Sequence, residues 1–432
     1  MLIRAQSDVG ERAGARSAKG RPEAVEPARP TMPRFGVAIF DNPKDPAGGW
    51  ACLAGSESFR FRQPSDLPND CLWVCSVDGM EYMRRLSKMH HLRPSDFFRS
   101  SLKHIAADLG LHIDGEGRFG SVATVASPKL AKVVHRAALI AAQVYGWSDP
   151  QEIFRADNLY EDIRKNIAQP PAVHHFMRSA LLSAYQSYSS PDWGSDYEPD
   201  SIVVTLRMNR LLYAQQILLT SVPDGAWAYI DSPIDLNAAL DPDGPTLVEA
   251  TVETANIDPS ISALLAFGSQ PGRRGALRRW ISQRELMWLS KYARVTVTRA
   301  YKAAGSILLP ERVHLPQALT ADPLFSLSLS AGLVAECHWT AFCTPTFNPR
   351  LPNSEKKEVS VWGVWLRAAD RAMSFDLALA AHRRSFYVLG YGNGSVLVRL
   401  QRSRLPDLLE FAMENNIAHP SFREIFEQNG MI

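Results

Sequence analysis

Residues 384–400, Arg-Ser-Phe-Tyr-Val-Leu-Gly-Tyr-Gly-Asn-Gly-Ser-Val-Leu-Val-Arg-Leu, constrain the fold more than any other stretch of this chain. Phe386 to Leu389 and Val396 to Leu400 are rich in the β-branched and aromatic residues that fit a pleated surface, and the residues between them carry the glycines that a tight reversal needs. Asn393-Gly394 is read as the turn of a β-hairpin. A helical pattern from Trp365 to His382 runs straight into it, so the local order is helix, strand, glycine turn, strand.

The N-terminal part supplies a second set of strands. Phe35 to Phe40 reads as a buried strand ending on Asp41, residues 50–54 and 59–62 as its hairpin neighbours, and Cys71 to Val77 as a further strand ending on Asp78 before a helix over residues 80–89. Three strands, a fourth and a helix resemble the start of a ribonuclease-H-like sheet, in which strand-end carboxylates hold two metal ions. Asp41 and Asp78 stand in such places, and each equally suits a turn or a helix cap. Gly115 to Val122 has the letters of a glycine-rich phosphate loop, but Ser121 to Val125 reads as a strand and not as the helix such a loop opens, so a hairpin turn is expected. Ser127-Pro128 is read as a helix start, cap followed by first-turn proline. His174-His175 are read as surface or packed side chains.

Composition narrows the classes. Length allows two or three domains, and 47 Lys plus Arg against 45 Asp plus Glu give a net charge of +2, so any basic surface has to be local. The five cysteines lie in apolar runs without staple-like spacing, which points to core packing and a reducing cytoplasm; Cys71 and Cys75 have no answering metal-ligand pair. The best apolar stretch, residues 137–144, is far short of the roughly 20 residues of a membrane span. Residues 1–31 lack hydrophobic periodicity and are expected to be disordered, with folded sequence beginning near Met32, itself a candidate start. The Ser, Pro, Asp and Gly of residues 189–199 mark a linker, dividing an N-terminal unit over 32–190 from a C-terminal one over 200–432.

The one basic concentration is Arg273, Arg274, Arg278 and Arg279 beside Trp280, continuing through Lys291 and Arg294. Cations interleaved with rings suit a nucleic-acid groove, the phosphates taking the charge and the bases the rings; they equally suit a solvated loop and helix face.

Taken in order, three segments of the C-terminal half resemble a reduced palm of family B DNA polymerases, especially the protein-primed kind of phages and mobile elements. Val204-Thr-Leu-Arg-Met-Asn-Arg-Leu-Leu-Tyr-Ala followed by Val222-Pro-Asp-Gly is similar to the first palm motif. Arg279-Trp-Ile-Ser-Gln-Arg-Glu-Leu resembles the tryptophan, Ser and Glu-Leu segment that precedes a strand, here residues 293–298. Tyr391-Gly-Asn-Gly-Ser resembles the hairpin of the last motif. The resemblance implies two metal-binding carboxylates, yet this chain has Arg207 near Asn209 in the first motif, and Asn393 and Gly394 after Tyr391 in the last. Pro43 likewise stands where an exonuclease Asp-x-Glu would end. The fold class expected is mixed α/β: an N-terminal ribonuclease-H-like mixed sheet with helices, and a C-terminal palm-like antiparallel sheet with helices.

The function expected from the resemblance is a DNA-associated protein of a mobile element or phage-like locus, polymerase-like without synthesis, binding single- or double-stranded DNA, with no cofactor and room for a replication-protein partner. One alternative is a nuclease using Asp41 and Asp78 with Mg²⁺ or Mn²⁺; another is a protein-interaction scaffold.

Overall fold

The computed structural model describes residues 34–77, 84–86, 88–94, 118–145, 175–185, 200–253, 276–310, 339–343, 345–347 and 357–418, with isolated positions between. Strand β1 (Arg34–Phe40) is buried from Phe35 onward and is the centre of a five-stranded sheet. Its order is β3–β2–β1–β4–β5, with β2 (Gly49–Leu53) antiparallel to both β1 and β3 (Phe59–Phe61), and β4 (Cys71–Cys75) parallel to β1 and to β5 (Leu92–Pro94). The run Phe35 to Phe40 has no polar alternation because both faces are covered. Phe35, Val37 and Ile39 meet helix α1 (Ala123–Tyr145), whereas Ala38 and Phe40 pack with Phe61, Trp73 and Leu86. Cys71 and Cys75 lie in this core, and complete burial pushes the Cys75 thiol up to about 12.

Two sequence expectations change here. Residues 120–122 form a single 3-10 turn and α1 begins at Ala123, so Ser121 to Val125 is not a strand and Pro128 lies inside the helix, not at its start. The reason is periodicity: Ala123, Ala126, Leu130, Ala131 and Val134 are all buried, so the apolar stripe continues upstream of the proline. Residues 112–117, with most of the glycine-rich stretch, lie outside the described residues, as do Asp78, His174, the 189–199 linker and residues 1–31.

The C-terminal half carries two antiparallel four-stranded sheets. In one the order is β7–β10–β8–β9: β7 (Val222–Ile230), β8 (Thr246–Glu253), β9 (Ala276–Ser282) and the long β10 (Arg294–Ile307). The basic stretch around Arg279 is therefore a strand and not a loop and helix face; its ladder to β8 runs from Ala276 to Ser282. Two small elements, helix α4 (Leu236–Ala239) and the pair β11 (Thr346–Phe347) with β12 (Lys357–Glu358), sit beside this frame. The other sheet has the order β13–β14–β6–β15: β6 (Ser201–Met208), β13 (Tyr387–Gly392), β14 (Ser395–Gln401) and β15 (Ile417–Ala418).

Helix α6 (Val361–Arg383) runs between the two sheets, beside α2 (Arg178–Tyr185), α3 (Arg210–Leu218) and α5 (Gln283–Leu289), and α7 (Leu405–Glu414) follows the hairpin. Ser360 caps α6, its hydroxyl accepting from the Gly363 N–H at 3.3 Å, one turn before the start that hydrophobic spacing suggests. The apolar core is continuous from Phe35 and Leu130 to Leu211 and Trp365. Among the described residues no helix is long and apolar enough to cross a membrane.

One buried ion cluster ties these elements together. Glu285, fully buried on α5, accepts from Arg371 of α6 at 2.5 Å and also pairs with Arg279 of β9, while Arg371 donates to the Ala184 carbonyl of α2 at 3.1 Å. Burial pushes the Glu285 carboxyl up, opposed by Arg371; burial and the adjacent Arg371 push Arg279 down to about 9. One carboxylate thus serves two arginines, and removing it leaves both charges in low dielectric. Glu285→Ala is expected to cost about 3–5 kcal/mol in urea denaturation. A loss below about 1 kcal/mol, the scale of an exposed pair, would show that the cluster does not hold the sheets to α6.

Candidate functional site

The hairpin closes as its Asn-Gly turn predicts. Asn393 and Gly394 both take positive φ, 52° and 65°, the backbone that a two-residue reversal between twisted strands demands. Tyr391 pairs with Val396 and Gly392 with Ser395 across the turn. The turn is then stitched to the first motif, because the Met208 N–H donates to the Gly394 carbonyl at 2.9 Å and Arg207 lies opposite Ser395 in the ladder. Asn209 follows β6 and caps α3; its Oδ1 accepts from the Leu211 and Leu212 N–H groups at 3.1 Å each.

Beneath the turn lies Asp370, a carboxylate only 2% exposed on α6. Its Oδ1 accepts from the Tyr213 hydroxyl, from Gly394 N–H at 3.2 Å and from Ser374 Oγ at 3.3 Å. Oδ2 accepts from Arg367 at 3.3 Å, and the same Arg367 guanidinium donates to Asn393 Oδ1 and lies 5.4 Å from the centre of the Trp339 ring. Burial and the neighbouring Asp370 hold the Tyr213 hydroxyl well above the usual phenol range, so it stays a donor. Asp370, Arg367 and Tyr213 were not legible as site residues, although an Asp-Arg pair at 370 and 371 inside an apolar helix is a signal for buried pairing.

These donors do not fit a pair of divalent metal ions. A two-metal centre needs several anionic oxygens facing one open point, whereas here Arg367 is bonded to the Asn393 amide at the turn and Asp370 is consumed by hydrogen bonds to its neighbours. Among the described residues no group of three His, Cys, Asp or Glu side chains comes close enough to hold a metal. At the N-terminal sheet, both oxygens of Asp41 are engaged by Arg60, at 2.7 and 2.5 Å.

Only part of the basic set lies among the described residues. Arg273 and Arg274 lie outside the described residues, and for Arg278 the backbone alone is described, in β9 opposite Thr251. Arg279 departs from the exposed phosphate contact expected of it: strand alternation turns it inward to Glu285. Trp280 points the other way and stacks on Tyr301, centroids 5.2 Å apart. Lys291 and Arg294 are exposed. A different cationic surface emerges on sheet β13–β14–β6–β15, where Val203, Thr205 and Arg207 of β6 share one face with Leu397 and Arg399 of β14 and with Tyr387 of β13. The Arg399 guanidinium lies 5.0 Å from the Tyr387 ring centre, and β6, β13 and β14 contain no Asp or Glu. The opposite face, with Leu206, Val396 and Val398, is core.

No family model matches this chain, and no curated protein does either. Among solved structures it is similar to phi29 DNA polymerase. The orthorhombic crystal form aligns at 12% identity and a TM-score of 0.43, covering 88% of this chain and 82% of that one. The complex with primer-template DNA and incoming nucleotides aligns at 11% and 0.39, covering 85% and 80%, and the binary complex with primer-template DNA at 14% and 0.41, covering 74% and 62%. In the binary complex the chain thus spans about three-fifths of the polymerase's length. This is a distant, polymerase-like similarity of fold.

The turn makes its own prediction. A Cβ on Gly394 would meet the Tyr213 ring at 2.9 Å as well as carry a positive φ, so Gly394→Ala is expected to cost about 1–3 kcal/mol. Tyr213→Phe, which removes one donor from buried Asp370, is expected to lose a similar amount, about 1–3 kcal/mol. Chemical denaturation of both variants checks this; wild-type stability in the two would show that the Asp370 network does not fix the hairpin.

Proposed function

We propose that this chain binds DNA on a polymerase-like frame and does not transfer nucleotides, as a DNA-associated protein of the kind found at phage-like or mobile loci. The observation that carries the reading is the acid-free face of sheet β13–β14–β6–β15, where Arg207 and Arg399 stand among exposed Val203, Thr205 and Tyr387. Guanidinium groups bind phosphate oxygens through paired N–H donors and need no metal to do so. A strand face without carboxylates does not repel a polyanion, and its aliphatic and aromatic members suit sugar and base surfaces.

The chemistry of the turn supports the absence of synthesis. Nucleotide transfer needs cations held against the attacking and leaving oxygens, and at the turn Arg367 sets a positive charge of its own against Asn393. The order of the three palm-like segments and the order of the N-terminal sheet, β3–β2–β1–β4–β5, support the polymerase-like and ribonuclease-H-like readings of the two halves. A reducing, cytoplasmic setting accords with the buried free thiols of Cys52, Cys71, Cys75 and Cys343.

The test is binding of labelled single- and double-stranded DNA across a salt series in EDTA, for the wild type and for an Arg207→Ala/Arg399→Ala variant, with primer extension measured in parallel. Affinity is expected to fall linearly in log–log salt, to be indifferent to the chelator, and to show a slope smaller by about two phosphate contacts in the variant. No extension is expected from the wild type or from Asn393→Asp. Absence of DNA binding at low salt, or Mg²⁺-dependent extension by the wild type, would overturn the reading.

A further inference from the structure

The sheet β7–β10–β8–β9 has a face that the hairpin site does not use. Register places Tyr229 opposite Tyr301, Arg299 opposite Glu249, and Glu249 opposite Trp280, so these five side chains point the same way. Tyr301 is the centre of the group. It is 9% exposed, its ring centroid lies 4.9 Å from that of Tyr229 and 5.2 Å from that of Trp280, and its hydroxyl donates to the Phe176 carbonyl at 3.2 Å. Phe176, from the single turn that precedes α2, closes the other side at 5.7 Å.

The outer members of this cluster are open to solvent. Phe176 and Tyr229 are 46% and 47% exposed, and His175, also exposed, meets Phe176 edge-on at 5.6 Å. Arg299 lies 6.0 Å from the Trp280 ring centre, fixed by Glu249 at 2.6 Å, with more than a third of its side chain exposed. Tyr229 Oη donates to Asp231 at 3.0 Å and accepts from Arg299 at 3.4 Å. The two exposed rings, Phe176 and Tyr229, are backed by the buried Tyr301 ring on the central strand β10, and the Tyr229 hydroxyl is bonded to Asp231 and Arg299. A surface of exposed rings, with the Arg299 guanidinium and the Tyr229 hydroxyl beside the carboxylates of Glu249 and Asp231 at its rim, offers flat faces that match a π system. It suits an aliphatic protein partner less well, since a hydroxyl, a carboxylate and a guanidinium border the rings.

We propose that the Phe176, Tyr301 and Tyr229 shelf stacks unpaired bases of single-stranded DNA, with Arg299 at its edge for the adjoining phosphate. Bases in a duplex already stack on one another and present edges, so the shelf selects single strands. The proposal rests on the DNA-binding reading above but uses other residues, on the other C-terminal sheet. It adds discrimination between strand states, which the arginine face of the hairpin sheet does not supply.

The experiment compares a short single-stranded oligodeoxynucleotide with its duplex, for the wild type, Phe176→Ala, Tyr229→Ala and the ring-conserving Tyr229→Phe. Each alanine variant is expected to weaken single-strand binding by about tenfold or more, to leave duplex affinity unchanged, and to keep the salt slope, because rings and not phosphate contacts are removed. Tyr229→Phe is expected to retain wild-type single-strand affinity. Unchanged single-strand binding in both alanine variants would overturn the shelf while leaving the DNA-binding reading intact. So would equal loss of single-strand and duplex binding. A wild type that binds neither form would remove the broader reading and the shelf with it.

Discussion

Asp370 is the group on which the arrangement of the C-terminal half depends. A carboxylate this buried is tolerable only when its lone pairs are filled, and the groups that fill them come from three directions: Tyr213 of α3, Gly394 of the hairpin turn, and Ser374 and Arg367 of α6 itself. The requirement to satisfy one anion therefore fixes how deeply the turn sits on α6 and where β6, bonded to that turn through Met208, must run. Arg367 extends the same network to Asn393. The side chain at the tip of the hairpin, Asn393, is thus held by a cation of the protein.

The second buried cluster acts at the opposite end of this logic. Glu285 joins α5, α6 and β9 through two arginines, with excess positive charge inside the protein. Arg279 is taken out of the solvent by Glu285, while strand alternation turns its neighbour Trp280 to the other face of the sheet, against Tyr301. Among the described residues, Arg207, Arg399, Lys291, Arg294 and Arg299 come from different elements and not from one basic run.

Much of the frame was legible because its signals are local. The Asn-Gly pair between β-rich runs specified the turn, the uninterrupted apolar run of Phe35 to Phe40 specified a doubly covered strand, and the apolar stretch ending at His382 specified α6. Local signals also misled: charge concealed strand β9, and a proline with a preceding serine imitated a helix start within α1. The site itself was not legible. Tyr213 and Asp370 are 157 residues apart, and Phe176 and Tyr301 are separated by 125, so nothing near either member announces the other. Side-chain direction in β9 depends on which neighbour lies across the ladder, which composition does not contain.

The central claim is that DNA is held by the arginine-bearing face of the hairpin sheet without any metal at the turn. Hydroxyl-radical footprinting of the protein, with and without DNA and always in EDTA, reads that face directly. The account predicts that DNA protects Tyr387 and Leu397 while leaving Met413, exposed on α7, as reactive as before. Protection that appears only when Mg²⁺ replaces EDTA, or unchanged reactivity of Tyr387 and Leu397 under saturating DNA, would contradict it.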